Sequence, residues 1–141
     1  QVQSSIEEIK KSVEDARREA YNCLAWLRGR PLDYPVFYDI EDSSQAWIDP
    51  QTMTDMVKAF CEIISNAGYK TGVYTYRDWF RNKIYTGQLP GNYQIWLAHY
   101  TWDVNKPSDY EGYYNIWQYT SRGYVPGING NVDRNIEYRN Y

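Results

Sequence analysis

The feature that most limits how this chain can fold is a change of period along it. Up to about residue 84, segments with helical spacing alternate with segments of strand character; beyond that point the strands continue and the helices stop. Ile6, Ile9, Val13, Ala16, Ala20, Cys23 or Leu24, and Leu27 draw one apolar stripe at 3–4 spacing, opposite a charged face of Glu7, Lys10, Lys11, Glu14, Arg17 and Arg18. Ser5 with Glu8 predicts a capping box at the start of this helix, and Gly29 and Pro31 predict its end. Residues 35–41 read as a short strand. Asp49 is the natural N-cap of a second helix with Pro50 at its first position. That helix has an apolar face of Met53, Met56, Val57, Phe60, Ile63, Ile64 and Ala67, and it stops at Gly68. A strand follows at 71–76 and a short helix at about 77–84. Three further strands, near 93–101, 115–120 and 130–136, are joined by loops rich in Gly, Pro and Asn. Strands alternating with helices predict an α/β fold, a parallel sheet with helices outside it. No internal period suggests a solenoid.

Composition narrows the function classes. With 141 residues the chain is the size of one domain. Its 15 Lys and Arg stand against 18 Asp and Glu, and no basic stripe is present to neutralise phosphates, which argues against a nucleic-acid partner. No run approaches the roughly 18 apolar residues of a membrane span, so no membrane partner is expected either. A hydrophobic content of 43% speaks against disorder. One His and two Cys give no metal-ligand cluster, and no phosphate loop, G-x-S-x-G or H-E-x-x-H occurs, so no metal or organic cofactor is expected. Cys23 and Cys61 both fall on apolar helix faces and read as buried free thiols; a disulfide between them stays open at this level. The start, Gln1-Val2-Gln3-Ser4-Ser5, is neither an initiator methionine nor a signal peptide, so a processed chain or a fragment is expected.

Asp39 and Glu41 are the most informative residues. Two apart on a strand, they leave the same face with Phe37, while Tyr38 and Ile40 point away. Their Cβ atoms should lie about 6 to 7 Å apart. Two carboxylates that close repel, so one should hold its proton while the other stays ionised. Glycoside hydrolysis needs that division of labour: an acid for the leaving oxygen and an anion facing the sugar ring. Acids at a strand end, Asp42 among them, are also commonly just solvated. Asp133 and Asn135 repeat the spacing near the C-terminus, where Asp133 would face the same cleft if its strand joins the same sheet.

Aromatics make up 18% of the residues, with 16 Tyr and 6 Trp. Flat rings with polar tips suit both a core and a sugar cleft. Trp96, Ala98 and Tyr100 share one strand face, opposite Ile95, Leu97 and His99; Trp117 and Tyr119 oppose Ile116 and Gln118. Beside a carboxylate pair, such strands point to carbohydrate. His99, facing away from Trp96 and Tyr100, reads as structural.

Four segments in order carry a family resemblance: YPVFYDIED (34–42), IWLAHY (95–100), IWQYTSRG (116–123) and GINGNVDRN (127–135). Together with Asp15–Ala20 before the first strand, they resemble glycoside hydrolase family 25, the Chalaropsis-type lysozymes or N-acetylmuramidases of bacteria and phages. The resemblance implies an irregular, TIM-like (β/α)5(β)3 barrel. It also implies hydrolysis of the β-1,4 bond between N-acetylmuramic acid and N-acetylglucosamine, with peptidoglycan glycan strands as partner, at a cell wall reached by secretion or phage release. It makes Glu41 the general acid, Asp39 its D-x-E partner and Asp133 the acid of the last strand. Trp96 and Tyr100, with Tyr76 and Gln118, become substrate-binding residues. The family also begins with a strand bearing an active-site Asp, followed by two further strand–helix units; these have no counterpart in this sequence, and Arg134 stands where the family has an apolar residue. The expectation is therefore a single domain over 1–141 that holds about five of eight strands, a partial barrel lacking its first strands and helices. Three functions follow: a muramidase, a catalytically impaired glycan-binding module, or a half-barrel completed by self-association or by a complementing N-terminal segment. Trp-rich choline-binding repeats would need a short repeat that the sequence lacks.

Overall fold

A computed structural model describes residues 2–141. In chain order its elements are α1 (Val2–Leu27), β1 (Val36–Asp39), α2 (Pro50–Asn66), β2 (Thr71–Tyr76), α3 (Arg77–Asn82), β3 (Gln94–Ala98), β4 (Ile116–Gly123) and β5 (Val132–Glu137). The strands form one five-stranded sheet in the order β1-β2-β3-β4-β5. β1 to β4 run parallel, and β5 returns antiparallel to β4. The change of period marks this switch: a helix-bearing crossover joins β1 to β2, and a long loop with an antiparallel return replaces it at the end.

α2 begins as its sequence dictates. Asp49 accepts from the Thr52 N–H at 3.0 Å, and Pro50 occupies the first turn. Met53, Met56, Val57, Phe60, Ile63 and Ile64 are all buried, each stabilising by about 1.5–3 kcal/mol. Ala67 is the C-cap rather than part of that face, and it is exposed. α1 departs further from expectation. It is already helical at Val2, so Ser5 lies inside the helix and not at its N-cap. Ile6 and Ile9 remain 40% and 41% exposed, whereas Ala16 and Ala20 are fully buried. Contact with α2 thus falls on the small residues of the middle of α1, where the helices can approach closely, and its first turns run past the core. Arg28 and Gly29, both at positive φ, end it.

The sheet separates two environments. Tyr38, Ile40, Val73, Leu97, Trp117 and Tyr119 belong to the helix-side core, with Tyr38 stacked on Phe60 of α2 at 4.6 Å. Trp117 and Tyr119 are therefore core residues and not part of a sugar cleft. The other face is curled. Phe37 on β1 meets Trp96 on β3 at 5.2 Å, and the Trp96 indole donates to Asn135 on β5 at 2.8 Å. Each contact skips a strand, and neighbouring strands lie about 4.8 Å apart, so the sheet must be concave on this side. At one end its two edges approach: Tyr34, just before β1, donates to Glu137 of β5 at 2.8 Å. Gly72 permits the tight curl. It is the register partner of Phe37 and Gln94, and a Cβ there would press into the Gln94 carbonyl.

The thiols are free, as the sequence suggested: Cys23 is half-buried and Cys61 fully buried. Cys61 Sγ points at the Gly72 carbonyl 3.5 Å away, and burial pushes its pKa up to about 12. Among the described residues no helix is long and apolar enough to cross a membrane.

Candidate active site

Strand alternation builds the site from the bottom. Asp39 pairs with Tyr74, Tyr74 with Trp96, and Trp96 with Ile116, forming one row across the concave face. Tyr76, Ala98, Gln118 and Asn135 form the next row. Glu41 stands beyond the end of β1, where Ile40 N–H still bonds the Tyr74 carbonyl at 3.0 Å. Asp39 and Glu41 are exposed while Tyr38 and Ile40 between and beside them are buried. The acids therefore share the open face as the spacing predicted. Asp42 is not a third member: its carboxylate accepts the Ser44 N–H at 2.9 Å and starts a short 3₁₀ turn, and that bond holds its pKa down.

Burial pushes the Asp39 carboxyl above its ordinary value, and the neighbouring charge of Glu41 adds to the shift. Burial first, then the nearby Glu41 carboxylate, raises the Tyr76 phenol pKa, so the two groups are neighbours. Tyr100 sits among the acids: after burial, the charges of Asp133, Glu41 and Asp39 all keep its phenol protonated. Asp133 on β5 thus shares an electrostatic neighbourhood with the D-x-E pair, though it is far from it in sequence.

Beneath the acids lies an aromatic floor with a hydrogen-bond frame. Trp96 is flanked edge-on by Phe37 and by Tyr74, at 5.2 and 4.9 Å. Tyr74 and Tyr100 both donate to Gln118 Oε1, at 2.7 and 2.9 Å. Burial and the Tyr100 hydroxyl drive the Tyr74 phenol far above its normal pKa, so it serves as a fixed donor. The structure thus brings Asp39, Glu41, Asp133, Tyr76, Trp96, Tyr100 and Gln118 to one face.

Two further members escaped the sequence reading, and Asn135 was noted there only for its spacing from Asp133. Tyr74 could have been found from alternation once the strand register was known. Trp102 had no such signal. Its backbone is left-handed at φ 66°, a conformation that costs a bulky residue about 1–3 kcal/mol. Its N–H is tied to the Tyr119 carbonyl at 2.9 Å. The half-exposed ring lies 5.4 Å from Tyr100 and under the Arg122 guanidinium at 5.3 Å.

His99 forms a separate cluster at the rim. Its Nδ1 is 2.7 Å from Ser108 Oγ and its Nε2 is 3.1 Å from Arg77 Nη1. Arg77 can only donate, so Nε2 accepts and the Nδ1–H donates to Ser108. Burial first, then the Arg77 charge, lowers the His99 pKa. A serine nucleophile would need the reverse polarity, with the imidazole accepting from the hydroxyl. His99 is structural, as its strand face suggested.

Comparison with known proteins identifies the family. Residues 9–128 match the model of the glycosyl hydrolases family 25. The chain is 34% identical over 125 residues to the D-alanyl-L-alanine endopeptidase of Streptococcus phage B30, covering 83% of this chain and 28% of the relative. It is 28% identical over 119 residues to the autolytic lysozyme of Clostridium acetobutylicum, covering 84% and 35%. Among solved structures, the modular autolysin LytC from Streptococcus pneumoniae, in complex with a synthetic peptidoglycan ligand, superposes with a TM-score of 0.63. It is 26% identical, and the match covers 86% of this chain and 30% of that one. The chain spans about a third of the length of these relatives.

Proposed function

Because this chain belongs to glycosyl hydrolase family 25, we propose that it supplies the D-x-E half of a lysozyme-type active site that cleaves peptidoglycan glycan strands. The bond cut is the β-1,4 link between N-acetylmuramic acid and N-acetylglucosamine. Glu41 is the general acid. Asp39 and Asp133 are the carboxylates that face the developing positive charge at the sugar ring. Trp96, Tyr100, Tyr76 and Gln118 hold the substrate. The observation that supports this best is one shared concave face, on which Asp39 stands in register with Tyr74 and Trp96 over an aromatic floor and Trp96 reaches Asn135 on the strand that carries Asp133.

The mechanism uses the features described. Glu41, next to the Tyr76 phenol, gives its proton to the leaving glycosidic oxygen. Asp39 and Asp133 then stabilise the oxocarbenium-like ring, and water completes hydrolysis. Substrate reaches the site at a cell wall, to which the protein is secreted or released by phage. The endopeptidase activity in the phage relative's name is not carried over, because the match covers only 28% of that relative.

The concave sheet is read as a wall of a TIM-like barrel in a single domain over 1–141. The outer edges of β1 and β5, which pair with no further strand among the described residues, are where complementing strands from an N-terminal segment would add. These edges favour a second reading for the 141 residues in isolation: glycan binding with poor turnover, because an open wall cannot exclude water. Lysis of susceptible walls by the isolated chain at the rate of the longer relatives would refute that second reading. Light scattering tests whether a second copy covers the edges instead.

The main reading is tested by Glu41→Gln. Release of reducing ends from peptidoglycan should fall by far more than tenfold with folding unchanged, and residual activity within tenfold would overturn the acid assignment. Mass spectrometry of the products should find muramic acid at the new reducing ends; N-acetylglucosamine there would overturn the bond assignment.

A further inference from the structure

We propose that Gln118 and Asn135 form a paired amide-donor site that reads a neutral carbonyl oxygen on the ligand, the acetamido carbonyl of an N-acetylated sugar, and that Tyr74 is the residue that aims it. This rests on the glycan-cleft reading above and adds to it the ligand group and the atoms that recognise it.

A carboxamide has nearly the same shape at its oxygen and nitrogen ends, so its hydrogen bonds decide which end faces where. The Trp96 indole can only donate. The Asn135 atom 2.8 Å from it is therefore Oδ1, and Nδ2 is turned outward. At Gln118 two phenols converge on Oε1, Tyr74 at 2.7 Å and Tyr100 at 2.9 Å, giving both phenol protons an acceptor. Among the described residues no partner is found for Gln118 Nε2, and no buried side-chain nitrogen or oxygen lacks one. Nε2 therefore reaches the solvent side, although Gln118 as a whole is only 3% exposed.

Gln118 and Asn135 are register partners across β4 and β5, and side chains so paired sit about 5 Å apart. Two N–H donors thus stand side by side on the face that also bears Asp39, Glu41 and Asp133. The acids repel an anionic ligand group, and they accept from sugar hydroxyls without help. When ionised they offer no donor to an uncharged group that only accepts. In an N-acetylated glycan that group is the acetamido carbonyl. A site whose donors are fixed in advance discriminates strongly against a ligand that leaves them unpaired.

Binding of the 141-residue chain to a β-1,4 tetramer of N-acetylglucosamine and to cellotetraose, which has hydroxyl in place of acetamido, tests this by calorimetry. The wild type should prefer the acetylated tetramer at least tenfold. Gln118→Glu, which cannot donate from its carboxylate, should abolish that preference, so that the two tetramers bind within about twofold of each other. Tyr74→Phe, which leaves Tyr100 as the one phenol fixing the amide, should reduce the preference several-fold. A merely structural role would weaken both glycans alike, and that result would overturn the proposal, as would variants that keep the full preference. If Gln118→Glu loses its cooperative melting transition, Asn135→Asp on the exposed strand carries the same expectation and can fail it in the same way. Equal binding of both glycans by the wild type would overturn this inference and leave the cleft standing. Binding of neither would remove the cleft reading as well.

Discussion

Trp117 and Trp96 sit on neighbouring parallel strands and face opposite ways. Trp117 is 1% exposed, with its indole donating to the His99 carbonyl at 2.9 Å, and it is locked into the layer shared with α1 and α2. Trp96 is half-buried on the concave face, between Phe37 and Tyr74, and uses its indole to orient Asn135. One residue type does two jobs, and the side of the sheet decides which. On the helix side a ring fills volume and its polar tip is silenced by backbone. On the concave side the ring is a platform, and its polar tip arranges other polar groups.

The sharpest way to break that contrast is to truncate both. Trp117→Ala should cost about 3–5 kcal/mol, the range for removing a buried large aromatic, and should lower the melting temperature steeply. Trp96→Ala should cost clearly less stability but remove most of the affinity for glycan oligomers. If urea unfolding gives the two variants equal losses, the two faces are not functionally distinct. A milder test stays on the helix side. Asp49→Ala removes the α2 cap, and about 1 kcal/mol of stability should go with it. Glycan affinity at a temperature where both proteins are folded should not change; a loss of affinity would show that α2 and the concave face are coupled.

The same contrast explains what could be read from sequence. The helix side was legible because burial writes a period into the chain. Met53 to Ile64 and the Asp49–Pro50 start announce α2, and the alternation Tyr38, Asp39, Ile40, Glu41 announces which acids face out. The strand count and the parallel run of β1 to β4 followed from the same periods, whereas the antiparallel return of β5 departs from the parallel sheet they predict. The failures lie where local pattern and tertiary contact part. The stripe of α1 continues through Ile6 and Ile9, but the core stops short of them, and no local signal marks where it stops. Ser5 and Glu8 match a capping box, yet the chain upstream is already helical. The frame of the candidate site was the least legible part. That Tyr74 and Tyr100 meet at Gln118, or that Trp96 reaches past β4 to Asn135, depends on the curl of the sheet, and curl follows from strand pairing and from Gly72 rather than from any residue at the site.

The smallest expected effect tests whether the concave face is held at some expense to stability. Burial first, and the Glu41 charge second, raise the Asp39 pKa above its ordinary 3.8. The folded protein therefore binds that proton more tightly than the unfolded chain does, so this group favours folding below its ordinary pKa and loses that advantage as pH rises through the folded value. At neutral pH the ionised Asp39 is a burden, and Asp39→Asn should raise the melting temperature slightly. The gain should shrink as pH falls and vanish below about pH 3.8, where wild-type Asp39 is also neutral. It should be smaller than the capping effect, because Asp39 is open to solvent, which screens the repulsion from Glu41. Glu41→Gln, by removing the second cause of the shift, should recover part of the same gain at neutral pH. Thermal melts of the three proteins from pH 3 to 7 would show it. If Asp39→Asn instead destabilises at neutral pH, the carboxylate is held by attraction, and the acids belong with the structural half of the molecule rather than with a poised site.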